Sequence, residues 1–326
     1  MQFPGLALSV CAFLFCVGGP RAAAQSKAPL PEPKPVPRMQ ALPQPYHQVS
    51  FQREGVEIMR AHFAPDLNRP FVFPLIGPSG RSLTRMGHPH DPIGHSHHNS
   101  VWLTHNDVNG VTFWSDRGDG RIIHQRVERL EDGDAAAAML TVSAWTTREG
   151  KVLLHERRRT AVEWLPNNEW LLLIDVWLEP NKGQEVKLGK SAFGLIGVRM
   201  AKTIGVNDGG GMIRNSEGGV NEPEVFWKPA KWVDYSGPIT PKATEGITLM
   251  DHPSNPNHPS VFHVRNDGWM GASLTYDGER VLKPGDVLKL RYGLYVHVGK
   301  PEVAALQKRW EEFAKTKLAD LTPARK

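Results

Sequence analysis

Short runs of alternating apolar and polar residues constrain the fold of this chain more than any other sequence feature. They dominate from Val49 onward, and Met139–Thr147 and Val287–Val298 are clear examples. Successive side chains of an extended strand point in opposite directions, so each such run has one face suited to burial. Glycine and proline, with 31 and 27 residues, separate the runs and favour turns. The pattern predicts an all-β protein built as a large antiparallel β-sandwich.

Two segments refine this prediction. The run Trp170–Leu178 is nearly all apolar, as in a strand buried on both faces, and Glu163–Trp170 before it has the Pro and Asn residues of a hairpin turn. Only the C-terminus predicts a helix, because apolar residues follow Pro301 at spacings of three and four. These residues are Val303, Leu306, Trp310 and Phe313.

The ends of the chain differ in composition from its body. Residues 1–24 are typical of a secretory signal peptide, with an apolar run at Leu6–Val17 and small residues at Ala22-Ala23-Ala24. Residues 25–47 are rich in proline and predict an extended linker. We assign residues 48–300 to a single β-sandwich domain and 301–326 to a C-terminal helix and tail. We therefore expect a periplasmic or extracellular protein without an integral membrane segment after signal cleavage; the alternative is a retained anchor.

Cysteine content and charge narrow the classes of function. Both cysteines, Cys11 and Cys16, lie in the predicted signal peptide, so the mature chain would have neither thiol catalysis nor a cysteine-ligated metal. The formal net charge is +5, and the basic residues form no long block. Nucleic acid is therefore not an expected partner. We expect a small molecule or a glycan instead.

The strongest local signal is a histidine-rich segment. Six of the 14 histidines lie between His88 and His105. On a strand, His95 and His97 would share one face, and so would His105 and Asp107. Imidazole near neutral pH either binds a metal or transfers a proton. The segment therefore predicts an acid–base site or a single divalent metal at the His95–His105 cluster, and the competing interpretation is a polar loop with backbone hydrogen bonds.

Two further polar clusters follow in the sequence. Residues 251–259 combine Asp251 and His252 with His-Pro and Asn-Pro dipeptides, which favour a rigid loop. Residues 215–222 form a glycine-containing loop with Glu217, and the Trp, Lys and Tyr residues of 227–235 are of the kind that pack against and hydrogen-bond a sugar ring. The alternatives are a well-packed turn and ordinary core tryptophans.

Several motifs along the chain are specific enough to indicate a family. They are the segment from His97 to Trp114 (HHNSVWLTHNDVNGVTFW), Asn215–Gly218, Trp232–Pro238, Asp251–Pro259, Leu282–Asp286 and Leu290–Tyr292. On these motifs the chain resembles the PmoA-like family of exported bacterial proteins from about Arg69 to Gly299. It departs from the family at Asn99, where the family usually has arginine. The resemblance implies a mutarotase-type supersandwich, the fold of sugar epimerases, lyases and some glycoside hydrolases.

Together these signals predict an exported carbohydrate-active enzyme of the hydrolase, lyase or epimerase class. The expected catalytic residues are His97, His98, His105, Asp107, Glu217, Asp251 and His252. The expected substrate-binding residues are Trp102, Asn109, Trp114, Trp227, Lys231, Trp232, Tyr235 and His258. The alternatives are a non-catalytic carbohydrate-binding protein and the metal-dependent oxidase or oxygenase that the family's "methane oxygenase" label suggests.

Overall fold

Two large antiparallel sheets form the body of the protein. The computed structural model describes residues 32–323, so the predicted signal peptide and both cysteines lie outside the described residues. The strands are numbered in chain order. The first sheet has nine strands, in the spatial order β1 (Met39–Gln44), β2 (Gln48–Arg53), β3 (Val56–His62), β4 (Phe71–Leu75), β5 (Val101–His105), β11 (Ser191–Arg199), β17 (Trp269–Thr275), β16 (Val261–Arg265) and β13 (Lys228–Pro229).

The second sheet has eight strands. In spatial order they are β12 (Met212–Asn215), β14 (Trp232–Thr240), β15 (Ala243–Asp251), β19 (Leu288–Val298), β9 (Trp170–Pro180), β8 (Val152–Trp164), β7 (Ala136–Thr147) and β6 (Gly120–Glu131). A small third sheet pairs β10 (Val186–Leu188) with β18 (Arg280–Leu282). The helices are α1 (Val206–Gly209), α2 (Asn221–Val225) and α3 (Val303–Ala314). The predicted all-β antiparallel sandwich with a C-terminal helix is confirmed.

The main core contains buried apolar residues from both sheets, including Phe51, Ile196 and Phe262 from the first and Leu172 and Leu294 from the second. Alternate residues of the central strands face this layer, as the sequence pattern predicts. Burying this many apolar side chains stabilises the fold without disulfides.

The eight-stranded sheet is covered on its other face by α3. Leu306 and Phe313 of the helix are buried in one cluster with Leu171, Leu173 and Trp232 of the sheet. Because β9 therefore packs on both of its faces, all of its residues except Glu179 are buried. The predicted doubly buried strand and the predicted apolar helix stripe are both observed.

Two predictions from the sequence, one of a segment boundary and one of local conformation, need correction. Met39–Gln44, inside the segment predicted as linker, forms β1 and pairs with β2, and Met39 and Ala41 are buried. The pairing succeeds because prolines are tolerated on an edge strand, where one row of amides has no ladder partner. The second correction concerns His95 and His97, which lie in a loop rather than on a strand. Within residues 32–323, no helix is long and apolar enough to cross a membrane.

Candidate functional site

A tryptophan platform lies on the face of the nine-stranded sheet that points away from the main core. Trp102, Trp114 and Trp269 form a separate buried cluster there. The sheet leaves room for these rings because Gly197 and Gly271 face them without side chains. A Cβ on Gly197 would lie 2.8 Å from Cζ3 of Trp269 and 3.1 Å from Cζ2 of Trp102. These two glycines therefore allow the indole rings to pack directly on the strands.

A buried arginine fastens the histidine loop beside this platform. Arg69 is 1% exposed, and its guanidinium donates to Oδ1 of Asn99 at 2.7 Å, to Oδ1 of Asp116 at 2.8 Å and to the carbonyl of Trp114 at 3.0 Å. One planar side chain thus joins the end of the histidine loop to the loop that carries Trp114. Such charge-assisted bonds fix geometry strongly.

The platform and the loop enclose a cleft of about 680 Å³, a volume in the usual range of small-molecule sites. Aromatic and cationic side chains dominate its lining. The lining residues are His95, His97, His98, Asn106, Trp114, Phe193, Arg199, Phe226, Trp227, His263, Arg265, Asp267 and Trp269.

His98 packs against two indole rings and cannot easily become charged. Its ring stacks on Trp102 at 5.5 Å and on Trp269 at 5.3 Å between centroids. Burial, and then the neighbouring charge of His97 and Arg199, hold the pKa of His98 far below its usual range. Burial likewise lowers the pKa of His97 to about 4. Both rings are therefore neutral at pH 7 and offer one donor and one acceptor each.

Two histidines of the same loop are oriented by carboxylates. Nδ1 of His95 lies 2.7 Å from Oδ2 of Asp91, four residues earlier. This contact leaves the other ring nitrogen of His95 free to exchange a proton. Nε2 of His88 lies 2.9 Å from Oδ2 of Asp267, whose other oxygen accepts a bond from Arg199 at 2.8 Å.

Strand β16 and the segment after α2 form the opposite wall. Trp227 is 44% exposed and stacks on Phe226 at 4.3 Å between centroids. Its φ of +54° is costly for a bulky residue and is found mainly where surrounding structure imposes it. The ring of His263 lies 5.2 Å from that of Phe226 and 6.0 Å from that of Trp269. Burial lowers the pKa of His263 to about 4, so a third neutral imidazole borders the cleft.

A family model described as "Family of unknown function (DUF6807)" matches residues 48–311. The chain belongs to this family. The match spans the sandwich from β2 onward and most of α3, so every residue of the cleft lies within the family domain. A search of proteins with curated descriptions found no match.

Several solved structures share part of this architecture at low similarity. A candidate kojibiose phosphorylase from the human microbiome has 10% identity and a TM-score of 0.35 over 86% of this chain and 37% of its own. Heparinase III has 12% identity and a TM-score of 0.32 over 74% and 33%. A GalM/aldose epimerase homologue from C. elegans has 9% identity and a TM-score of 0.34 over 74% and 96%. The chain spans about a third of the length of the first two, and TM-scores this low carry no argument about activity.

The cleft brings together only part of the predicted site. His97, His98, Trp114 and Trp227 line it, and Trp102 supports His98 from below. These residues come from the histidine loop, the loop after β5 and the segment after α2. The predicted pairing of a histidine loop with tryptophans is therefore observed at these positions.

The rest of the histidine motif has a structural role in this family domain. His105 is fully buried, with Nδ1 2.8 Å from the carbonyl oxygen of Asp107 and Nε2 2.8 Å from Oγ1 of Thr275. The carboxylate of Asp107 accepts the amide of Gly110 at 2.7 Å, and Asn109 accepts the amide of Lys187. These contacts fix a turn, and His105, Asp107 and Asn109 do not line the cleft.

The cluster predicted as the facing wall lies on the other sheet. Asp251 ends β15 and is fully buried, accepting bonds from Asn255 and from the amide of Ser260. His252 contacts Ser254 and the carbonyl of Thr316 after α3. The other predicted residues of this group contact helix α3. His258 and Lys231 lie against the ring of Trp310, and Trp232 donates to Gln307. This group holds α3 against the eight-stranded sheet and does not line the cleft.

Two other predicted residues also lie elsewhere. Glu217 lies in an exposed turn, where its carboxylate accepts the hydroxyl of Ser216 at 2.8 Å. The buried Tyr235 accepts the amide of Val206 at 3.1 Å, and its hydroxyl lies 3.2 Å from the carbonyl oxygen of Arg265. Neither side chain lines the cleft.

The metal prediction can be compared with the donor positions. The rings of His95, His97 and His98 are 4.5 to 5.9 Å apart between centroids. Across residues 32–323, however, no three His, Cys, Asp or Glu side chains converge as metal ligands. A metal at the His95–His105 cluster therefore stays a prediction.

Sequence reasoning missed the cleft residues Arg199, Asp267 and Trp269. It also missed Asp91, which orients His95 without lining the cleft. A usable signal existed for two of them. Asp91 precedes His95 by four residues, a spacing that brings side chains together in a helical turn. Arg199 is a single charge that closes the otherwise apolar run Leu195–Val198. Asp267 and Trp269 reach the cleft through pairing between strands, which no local pattern reveals.

Proposed function

We propose that this protein is an exported enzyme that transfers protons on a sugar substrate, as an isomerase or lyase does. The combination of aromatic walls with several imidazoles in one cleft supports this proposal best. Indole faces such as that of Trp227 pack against the C–H surface of a sugar ring, and neutral histidines hydrogen-bond its hydroxyls. The cleft volume of about 680 Å³ suits one or two sugar units.

His95 is the strongest candidate for the proton-transferring group. Its contact with Asp91 fixes the orientation of the ring, and His95 lines the cleft. A carboxylate that orients an imidazole in this way is a recurring arrangement in acid–base catalysis. His97 and His98 would act mainly as binding groups, because burial weakens them as bases.

The cleft supports proton transfer better than hydrolysis by two carboxylates. Glycoside hydrolysis usually needs a pair of carboxyl groups on either side of the scissile bond. Asp267 is the single carboxylate among the described lining residues, and it is ion-paired with Arg199 and in contact with His88. We therefore favour the isomerase and lyase classes over the hydrolase class.

Turnover in heavy water tests this proposal. The protein, with any histidine tag removed, is incubated with neutral and acidic mono- and disaccharides, and proton NMR follows exchange of carbon-bound hydrogen or appearance of new products. We expect at least one sugar to react, and we expect His95→Gln to lower kcat by about 100-fold or more. The matched control is His47→Asn, which changes an exposed histidine in the turn before β2 and should keep the wild-type rate.

Two results would contradict the proposal. One is equal turnover by the wild type and His95→Gln, which would remove His95 from the chemistry. The other is sugar binding without any turnover across the panel, which would favour the non-catalytic carbohydrate-binding protein instead.

A further inference from the structure

The cleft contains an unusual concentration of buried polar atoms without partners. Within the described residues, Nε and Nη2 of Arg199, Nδ1 of His98, Nδ1 of His263 and Nε1 of Trp269 are all buried and make no hydrogen bond. All four residues line the same cleft and are at least nine-tenths buried. Leaving such groups unsatisfied is unfavourable because each has given up its hydrogen bonds to water, so a cluster of them indicates a ligand site.

The chemistry of these atoms specifies the kind of ligand. The arginine and indole nitrogens can only donate hydrogen bonds, and a neutral imidazole nitrogen can donate in one of its tautomers. The cleft is therefore rich in unused donors and poor in acceptors. Oxygen atoms with several lone pairs complement it best, and a carboxylate offers about four acceptor sites.

The charged groups around Arg199 also favour a carboxylate ligand. Its Nη1 is paired with Asp267, and Asp267 also contacts His88. Arg85 lies in the same charge cluster, where burial and then the repulsion of Arg199 lower its pKa to about 10. The Arg85 guanidinium bonds to the backbone carbonyls of Met200, Gly87 and Asp267. Two guanidinium groups thus lie close together beside Asp267, and the carboxylate of Asp208 also acts on Arg85.

A third arginine lies at the rim. Arg265 lines the cleft and is paired with Glu222 at 3.1 Å. Arg199 is therefore the buried arginine of the lining, and its Nε and Nη2 have no partner within the described residues. Because a buried cation is screened by water less than an exposed one, its attraction for an anion is correspondingly stronger.

We propose that the substrate is an acidic sugar whose carboxylate is bound by Arg199 at the floor of the cleft. This inference rests on the proposed function and adds the class of substrate to it. In this arrangement the guanidinium binds the carboxylate while the aromatic walls contact the sugar ring. Pairing with a cation also makes the hydrogen on the carbon next to the carboxylate more acidic, which suits a histidine base such as His95.

Matched pairs of sugars test the inference without depending on a variant. Calorimetric titration compares glucuronate, galacturonate and mannuronate with glucose, galactose and mannose, and with the neutral methyl ester of each acid. We expect at least one acid to bind about tenfold or more tightly than its neutral hexose and its ester. Its affinity should also fall as salt is added.

Two variants locate the contact. Arg199→Gln should abolish the preference for the acid, and Arg199→Lys should keep part of it, because lysine retains the charge but loses the planar fork. Arg148→Gln is the matched control, since Arg148 is exposed at the turn between β7 and β8. If Arg199→Gln fails to fold by circular dichroism, the comparison of acid with ester in the wild type still decides the question.

The possible failures are distinguishable. A neutral hexose that binds as tightly as its acid would overturn the acidic-sugar inference and leave the proposed function intact. Binding of acetate as tight as that of every uronate would show anion binding without sugar recognition and would overturn both. Absence of binding by all the sugars would also overturn both.

Discussion

Replacing Gly197 with alanine tests whether the tryptophan platform depends on a missing side chain. The new methyl group would lie 2.8 Å from Cζ3 of Trp269 and 3.1 Å from Cζ2 of Trp102, both closer than carbon atoms normally approach. Overpacking of this kind costs about 1–3 kcal/mol. Alanine also stiffens the unfolded chain, which offsets the loss by about 0.4–1 kcal/mol. The steric term is the larger one, so we expect a net decrease in the free energy of unfolding.

Urea denaturation followed by circular dichroism measures this change, and near-ultraviolet dichroism reports the packing of the indole rings. Gly278→Ala is the matched control because a Cβ at Gly278 meets nothing within 4 Å. We expect Gly197→Ala to be destabilised, to alter the near-ultraviolet spectrum and to weaken sugar binding, while the control changes none of these. If the two variants gave the same stability, spectrum and affinity, the described packing of Trp269 on the sheet would be refuted.

Three further predictions concern pH, the second sheet and metals. Burial lowers the pKa of His105 to about 4, against about 6.5 in an unfolded chain. The unfolded state therefore binds more protons as pH falls from about 6.5 to 4. Urea denaturation should show a loss of stability over that window, to which His105 contributes about 3 kcal/mol and His97 and His263 add; constant stability would contradict it. Asp251→Asn should lower the free energy of unfolding by about 1.5–3 kcal/mol, because it weakens buried hydrogen bonds to Asn255 and Ser260. The kcat of the folded variant should stay unchanged. A parallel loss of kcat would indicate that Asp251 belongs to the catalytic site. Treatment with a chelator should leave turnover unchanged. The metal-dependent alternative would be favoured if mass spectrometry found one equivalent of metal per chain and removal of that metal abolished activity.

The sequence predicted the architecture well because strand alternation is a local property. The doubly buried β9 and the apolar stripe of α3 could be read directly from their spacing, and both are observed. The edge strand β1 was missed because it lies in a proline-rich segment that resembles a linker, and only its pairing with β2 distinguishes the two.

The site was predicted less completely because its residues meet through tertiary contacts. His98 and His105 belong to one motif, yet only His98 reaches the cleft, because the chain before Asn99 is a loop that Arg69 holds over the tryptophans. The residues around Asp251 resemble a site in composition, but they lie on the other sheet beneath α3. No local pattern shows to which sheet such a loop belongs.

The proposal that the histidine–tryptophan cleft binds the substrate is tested most directly by NMR of the histidine rings. Protein with ¹⁵N-labelled histidine is titrated with the sugar that binds best, and single variants assign the signals. The signals of His95, His97, His98 and His263 should shift on binding, whereas those of His105, His252 and His258 should stay in place. Shifts confined to His252 and His258 would instead put the sugar beneath α3 and contradict the account.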